Sequence, residues 1–148
     1  MNPPELIDRA LELLLAKDMA AFAGLFAEDG VIEFPFAPPG YPPRVEGRTA
    51  ITAYMRGYPD LLDIREFTEQ TVHRTVDPEV VVAEFEAAGR VVATGRPYRM
   101  RYIAVLTVRD GEIHHYRDYW NPLAAAEMMG GAQELNAAFA HESGGGHE

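Results

Sequence analysis

The sequence predicts an α+β domain whose sheet curves around its helices. Three observations carry this. Residues 3–59 hold three stretches with apolar residues three or four apart, interrupted by one short strand-like run. Residues 63–120 hold four strand-like runs in succession, and a further helical stretch follows them. Helices segregated from a run of antiparallel strands cover one face of the sheet those strands form.

The elements follow in order. Residues 3–17 open on Pro-Pro-Glu and place Leu6, Ala10, Leu13, Leu14 and Lys17 at helical spacing. Asp18 can cap a second helix carrying Met19, Phe22, Ala23 and Phe26, with its end expected near Glu28-Asp29-Gly30. VIEFPF (31–36) reads as a short strand, held to an edge or a bend by Pro35. APPGYPPRVEG (37–47) is proline- and glycine-rich, an ordered loop or flap. Ile51, Tyr54, Met55 and Tyr58 mark a third helix over 48–59. The long strands are expected at 63–76, 79–94, 98–109 and 112–120, with DPE (77–79) and RDG (109–111) as turns. Gly89 and Gly95 suggest that the 79–94 run is bent or bulged. Residues 123–141 read as a helix weakened by Gly130-Gly131, and SGGGHE as a frayed tail. The domain is therefore 1–122, with 123–148 a C-terminal helix and tail attached to it.

At 148 residues the chain is one domain of common size, long enough to bury a core without staples. It has no cysteine, which excludes disulfides and thiolate metal sites and suits a reducing cytoplasm. No secretory signal pattern follows Met1, and no apolar run approaches the ~18 residues of a membrane span. Thirteen basic against 23 acidic residues give a net charge of −10, which disfavours nucleic acid and anionic membranes as partners. Neither a Walker A pattern nor GxGxxG is present, so no nucleotide cofactor is implied. No HxxxH or HxH pairs with a nearby acid, and His114-His115 diverge from a regular strand, so no metal site is expected.

The chemistry concentrates in GEIHHYRDYWNP (111–122). Strand alternation sends His114, Tyr116, Asp118 and Trp120 to one face and His115, Arg117 and Tyr119 to the other. An acid amid aromatics is disfavoured in mid-strand. On a buried face, desolvation raises its pKa into the range of a proton carrier near neutrality. The alternative is a structural carboxylate paired with an arginine such as Arg101. A two-residue Asp110-Gly111 turn sets Ile103 opposite Asp118; a three-residue turn with a Gly111 bulge sets Tyr102 there. The second is favoured because it gathers Tyr98, Met100, Tyr102, Tyr116, Asp118 and Trp120 on one face. His114 lies about 13 Å along the strand from Asp118, too far for a hydrogen bond. Glu84, the one charge in VVVAEF, is expected to pair with an arginine of the next strand.

Three landmarks together, LFAEDGVIEFPF (25–36), EGRTAITAYM (46–55) and VRDGEIHHYRDYWNP (108–122), resemble the nuclear transport factor 2-like superfamily. The likeness spans roughly residues 5–122 and is nearest the SnoaL-like and phenazine-biosynthesis A/B branches. It implies a cone-shaped α+β barrel with helices packed in a curved, mixed, mostly antiparallel sheet, and a homodimer through the outer sheet face where His115 lies. The ketosteroid isomerases of this superfamily carry acids and a tyrosine at places that here hold Phe34, Ala10 and Ala104. Steroid isomerisation by that machinery is not expected. An epoxide-hydrolase Asp-Arg-Asp set cannot be assembled either. SnoaL-like and phenazine A/B proteins place an acid on the last strand, where Asp118 stands.

The expected function is cofactor-free acid–base isomerisation, cyclisation or dehydration of a hydrophobic, aromatic or polyketide-like small molecule. Asp118, Tyr102 and Tyr116 are the candidate catalytic residues. Trp120, Tyr54, Phe34, Tyr98, Met100, His73 and His114 are the candidate ligand contacts. The alternative is a ligand-binding or accessory protein of the same fold with no chemistry of its own.

Overall fold

The computed structural model describes residues 1–143. Asn2 caps helix α1 (Pro3–Ala16), accepting from the Glu5 amide at 2.9 Å while the Glu5 carboxylate accepts from the Asn2 amide. Lys17 ends that helix in the left-handed region (φ 62°), and Asp18 caps α2 (Met19–Gly24). The second helix stops short of its expected end. Strand β1 (Phe26–Glu33) follows at once, because Phe26 pairs with Ile113 and both side chains are fully buried. That distant pairing outweighs the local helical pattern. β1 then ends just before Phe34-Pro35, earlier than the expected 36.

The proline-rich loop closes with β2 (Arg44–Glu46), an edge strand that sets Val45 opposite Ile32. The expected third helix breaks at Gly57 into α3 (Arg48–Arg56) and α4 (Tyr58–Leu61). The long strands are β3 (Leu62–Arg74), β4 (Val80–Val91), β5 (Pro97–Arg109) and β6 (Glu112–Tyr119). Together the six strands form one sheet in the order β2-β1-β6-β5-β4-β3, with β1 parallel to β6 and every other pair antiparallel. The sheet is mixed and mostly antiparallel, as expected, but β2 and β3 stay as free edges, so it does not close into a barrel. Leu6, Phe26, Ile51, Val81, Leu106 and Ile113 form the driest part of the core.

Two irregularities place the site. In the first, Ile64 pairs with Gly89 and Glu66 with Ala88, leaving Arg65 as an extra residue on β3; Thr68 is a second. The bulges sit on β3 and not on the 79–94 run, where Gly89 is the residue that admits the close approach. The second lies in β6. Asp110 (φ 53°) and Gly111 (φ 76°) make a two-residue turn that pairs Arg109 with Glu112. Val108 then pairs with Ile113 but Thr107 with His115, so His114 is an extra residue and the strand changes phase. The favoured three-residue turn is therefore corrected. Asp118 faces Ala104, not Tyr102.

After Asn121 the chain forms α5 (Pro122–Met129) and α6 (Ala132–Ser143). The expected weak point at Gly130-Gly131 is a full break, both residues having positive φ. The expected frayed tail falls almost wholly outside the described residues. Among the described residues, no helix is long and apolar enough to cross a membrane.

Candidate active site

Helices and sheet leave a cavity of about 100 Å³, taken as the space open to the centre of a water-sized sphere. Asp118 reaches its wall because the His114 bulge returns Tyr116, Asp118 and Trp120 to the face shared by Tyr98, Met100 and Tyr102. Its cross-strand neighbour Ala104 contributes only a methyl group, which provides neither a bond nor a steric block. Asp118 Oδ1 is buried with no hydrogen-bond partner. The arginine considered as its structural mate, Arg101, donates to Glu69 at 2.7 Å on the outer face. Burial alone pushes the Asp118 carboxyl up to about 7, with no cation to hold it down.

Phenols surround that acid. Six of the seven tyrosines line the cavity, the exception being Tyr119. The hydroxyls of Tyr41 and Tyr54 lie 2.5 Å apart, and Tyr98 is hydrogen-bonded to Tyr102. Burial raises the pKa of Tyr41, Tyr54, Tyr98, Tyr102 and Tyr116 well above the usual phenol value, and a negative charge on Asp118 raises each further. Tyr58 moves the same way for the same two reasons. All six are therefore neutral hydrogen-bond donors at physiological pH. Phe34 and Trp120 complete an aromatic wall with Tyr41, whose ring centroid is 5.2 Å from that of Trp120.

The candidates divide cleanly. Asp118, Tyr102, Tyr116, Trp120, Tyr54, Phe34, Tyr98 and Met100 all line the cavity. His73 does not: it meets Glu84 at 2.7 Å, with both side chains about half exposed. That contact also corrects the partner of Glu84, which is a histidine and not an arginine. His114 is absent from the cavity wall, because strand phase at a bulge does not follow simple alternation. His115 lies outside the cavity as well and meets Glu33 at 2.8 Å. Among the described residues, no group of His, Cys, Asp and Glu is placed to hold a metal ion.

Sequence reading missed Tyr41 and the C-terminal wall of Ala125, Met129, Leu135 and Phe139. The four-residue spacing of Leu135 and Phe139 in LNAAFA was a signal for an inward helix face. Tyr41, in a proline-rich loop, offered none.

The family model of the SnoaL-like domain matches residues 7–116. The chain belongs to the SnoaL-like family. This SnoaL-like chain is 45% identical over 128 residues to the Bacillus subtilis protein YesE, covering 86% of this chain and 87% of that one. It is 42% identical over 133 residues to a PhzA/B-like protein of Pseudomonas aeruginosa, covering 90% and 94% respectively. A crystal structure from Bacillus subtilis, of a protein named as a candidate isomerase, superposes with TM-score 0.82 at 45% identity, over 88% of this chain and 97% of that one. Two more distant structures share the fold. One is a candidate polyketide cyclase of Pseudomonas putida (TM-score 0.75, 23% identity, 86% and 98% covered). The other is a Catenulispora acidiphila protein of ketosteroid isomerase-like fold, solved with trimethylamine (TM-score 0.69, 17% identity, 88% and 95% covered). The nuclear transport factor 2-like fold expected from the three landmarks is thus the fold of this SnoaL-like domain.

Proposed function

We propose that the cavity performs cofactor-free acid–base chemistry, an isomerisation or cyclisation, on a hydrophobic small molecule, with Asp118 moving the proton. One observation carries this: a half-buried carboxyl with its Oδ1 buried and unpartnered, poised near neutrality and ringed by neutral phenols. As carboxylate, Asp118 takes a proton from a carbon next to a substrate carbonyl. The electron pair passes to the carbonyl oxygen, which accepts a hydrogen bond from Tyr102 or Tyr116. Protonated Asp118 then returns the proton to a different carbon of the same molecule. A positioned base typically contributes roughly 10²–10⁴-fold, and one donor to the developing oxyanion roughly 10²–10³-fold. Trp120 stacks against the substrate plane.

Exchange of solvent deuterium into cyclic ketones, followed by proton NMR, tests this without knowledge of the natural substrate. The rate is expected to rise with pH as Asp118 ionises and to level off above about 7. Asp118→Asn is expected to lower it by on the order of 10²-fold or more. Equal rates for the two proteins sink the assignment. A second reading, ligand binding without turnover, is favoured by the scarcity of other ionisable groups. Among the described residues, Lys17 is the one such group in the cavity wall besides Asp118 and the tyrosines. Saturable binding with no exchange at any pH would decide for it.

We infer that the outer sheet face packs against a second copy of the chain. Ile103 is 44% exposed and pairs with Tyr119, whose ring meets the exposed Phe36 at 5.3 Å. The ion pairs Arg101–Glu69 and His115–Glu33 lie on the same face. Sedimentation velocity is expected to show a dimer that Ile103→Glu dissociates; a native monomer at tens of micromolar excludes it.

A further inference from the structure

We propose that helix α6 sets the ligand class of this cavity: Phe139 closes it around an uncharged molecule of about one ring, and fused polycyclic molecules are shut out. The inference rests on the reading of Asp118 and its phenols as the reacting centre. Three independent features support it.

Size comes first. A cavity of about 150 Å³ in another protein interior is known to hold one benzene. The present chamber, about 100 Å³, is of that order. Its remaining wall is not a loose surface that a larger molecule could push aside. Phe139 is 6% exposed, and its ring meets three of the six phenols: Tyr41 at 5.6 Å, Tyr54 at 6.2 Å and Tyr58 at 6.2 Å between centroids. The same rings that donate hydrogen bonds thus also hold the plug.

The second feature is the attachment of α6. Asn136 Nδ2 donates to the Pro39 carbonyl at 2.7 Å. A Cβ on Gly40, which has φ +91°, would lie 2.6 Å from that same nitrogen. The helix sits hard against the 38–41 turn, and the turn in turn carries Tyr41. Cap and phenol cluster form one packed unit.

Charge is the third. Among the described residues, Lys17 is the one cation in the cavity wall, and it is committed twice, to Asp63 Oδ1 at 3.0 Å and to the Ile64 carbonyl at 3.0 Å. A ligand anion would enter a largely apolar cavity with no free counter-charge, and above about pH 7 would meet the Asp118 carboxylate as well. Six neutral phenols suit a carbonyl, lactone or hydroxyl group instead.

Binding to the full chain is read at pH 6 from the fluorescence of Trp120, the one tryptophan, which lies in the wall. The probes are 2-cyclohexen-1-one, phenol, benzoate and androst-4-ene-3,17-dione, an enone fused into four rings. The native protein is expected to bind cyclohexenone and phenol, benzoate at least tenfold more weakly than phenol, and the steroid not measurably. Phe139→Ala is expected to raise the steroid-to-cyclohexenone affinity ratio at least tenfold. Phe139→Leu, a folded control by circular dichroism if the alanine variant unfolds, shifts the ratio less and in the same direction. Native protein that prefers the steroid or benzoate, that binds neither one-ring probe, or whose ratio neither variant moves, overturns the proposal. Deuterium exchange separates it from the reaction: the size order intact without exchange upholds the ligand class and removes the acid–base reading.

Discussion

Between pH 4 and pH 8 the native protein is expected to lose a few kcal/mol of stability that Asp118→Asn retains. The carboxyl titrates near 3.8 in the unfolded chain and at about 7 in the folded one. Below pH 4 both states hold the proton and the group makes no difference. As pH rises, the unfolded chain releases the proton while the folded protein keeps it, so stability falls by up to about 1.4 kcal/mol per pH unit until the folded group also ionises. Above pH 7 the loss is complete, at about 4 kcal/mol as an upper figure. The side-chain amide that Asp118→Asn introduces carries no charge in either state and is free of this slope. Asp63 and Glu86 run the opposite way, since hydrogen bonds from Lys17 and Thr68 lead the causes that lower their pKa values. Their contribution appears equally in both proteins and cancels in the difference. Urea unfolding of native and variant at half-unit pH steps measures that difference directly. Parallel curves would show that Asp118 is neither buried nor perturbed. An acid kept at such cost is characteristic of a working site.

Gly89→Ala is expected to destabilise the fold by about 3 kcal/mol or more. A Cβ at this position would lie 1.9 Å from the Asp63 carbonyl oxygen and 2.9 Å from the Ile64 Cα, both backbone atoms. No rotamer relieves such a clash; β3 itself must move. The bulge at Arg65 immediately follows that close approach. Thermal unfolding compared with Gly24→Ala, where nothing lies within 4 Å of the added methyl, separates the clash from the general effect of replacing glycine. Equal melting temperatures for the two variants would mean that β3 and β4 are not held together at this point.

The fold was legible because its signals are local and repeated. The stripe Leu6, Ala10, Leu13 and the alternation from Tyr98 to Tyr102 report helix and strand without knowledge of any partner. Asp118 was legible for a different reason: a carboxyl between Tyr116 and Trp120 violates the composition of a buried strand face, and such violations collect at functional sites. What could not be read was set by contacts distant in the chain. Phe26 has the spacing of a helix residue and becomes a strand residue because Ile113 is there to pair with it. His73, a candidate ligand contact by its sequence, pairs with Val82 and turns its ring to Glu84, two residues along β4. Tyr41 lies in a loop whose course is set by β2 and α6, neither of which the loop's own residues announce.

The extra residue at His114 makes the composition of the cavity wall a question of register. Ile113 and Tyr116 are both buried although they stand three apart, an interval that in an unbroken strand sends side chains to opposite faces. Paired without that bulge, the same residues would send Arg117 and Tyr119 to the interior and set Asp118 opposite Ile103 on the outer surface. Whether this surface or its reverse faces the cavity is thus decided by the one unpaired residue between the turn and the acid. A local comparison of residue types would miss that distinction, and counting the strand would find it.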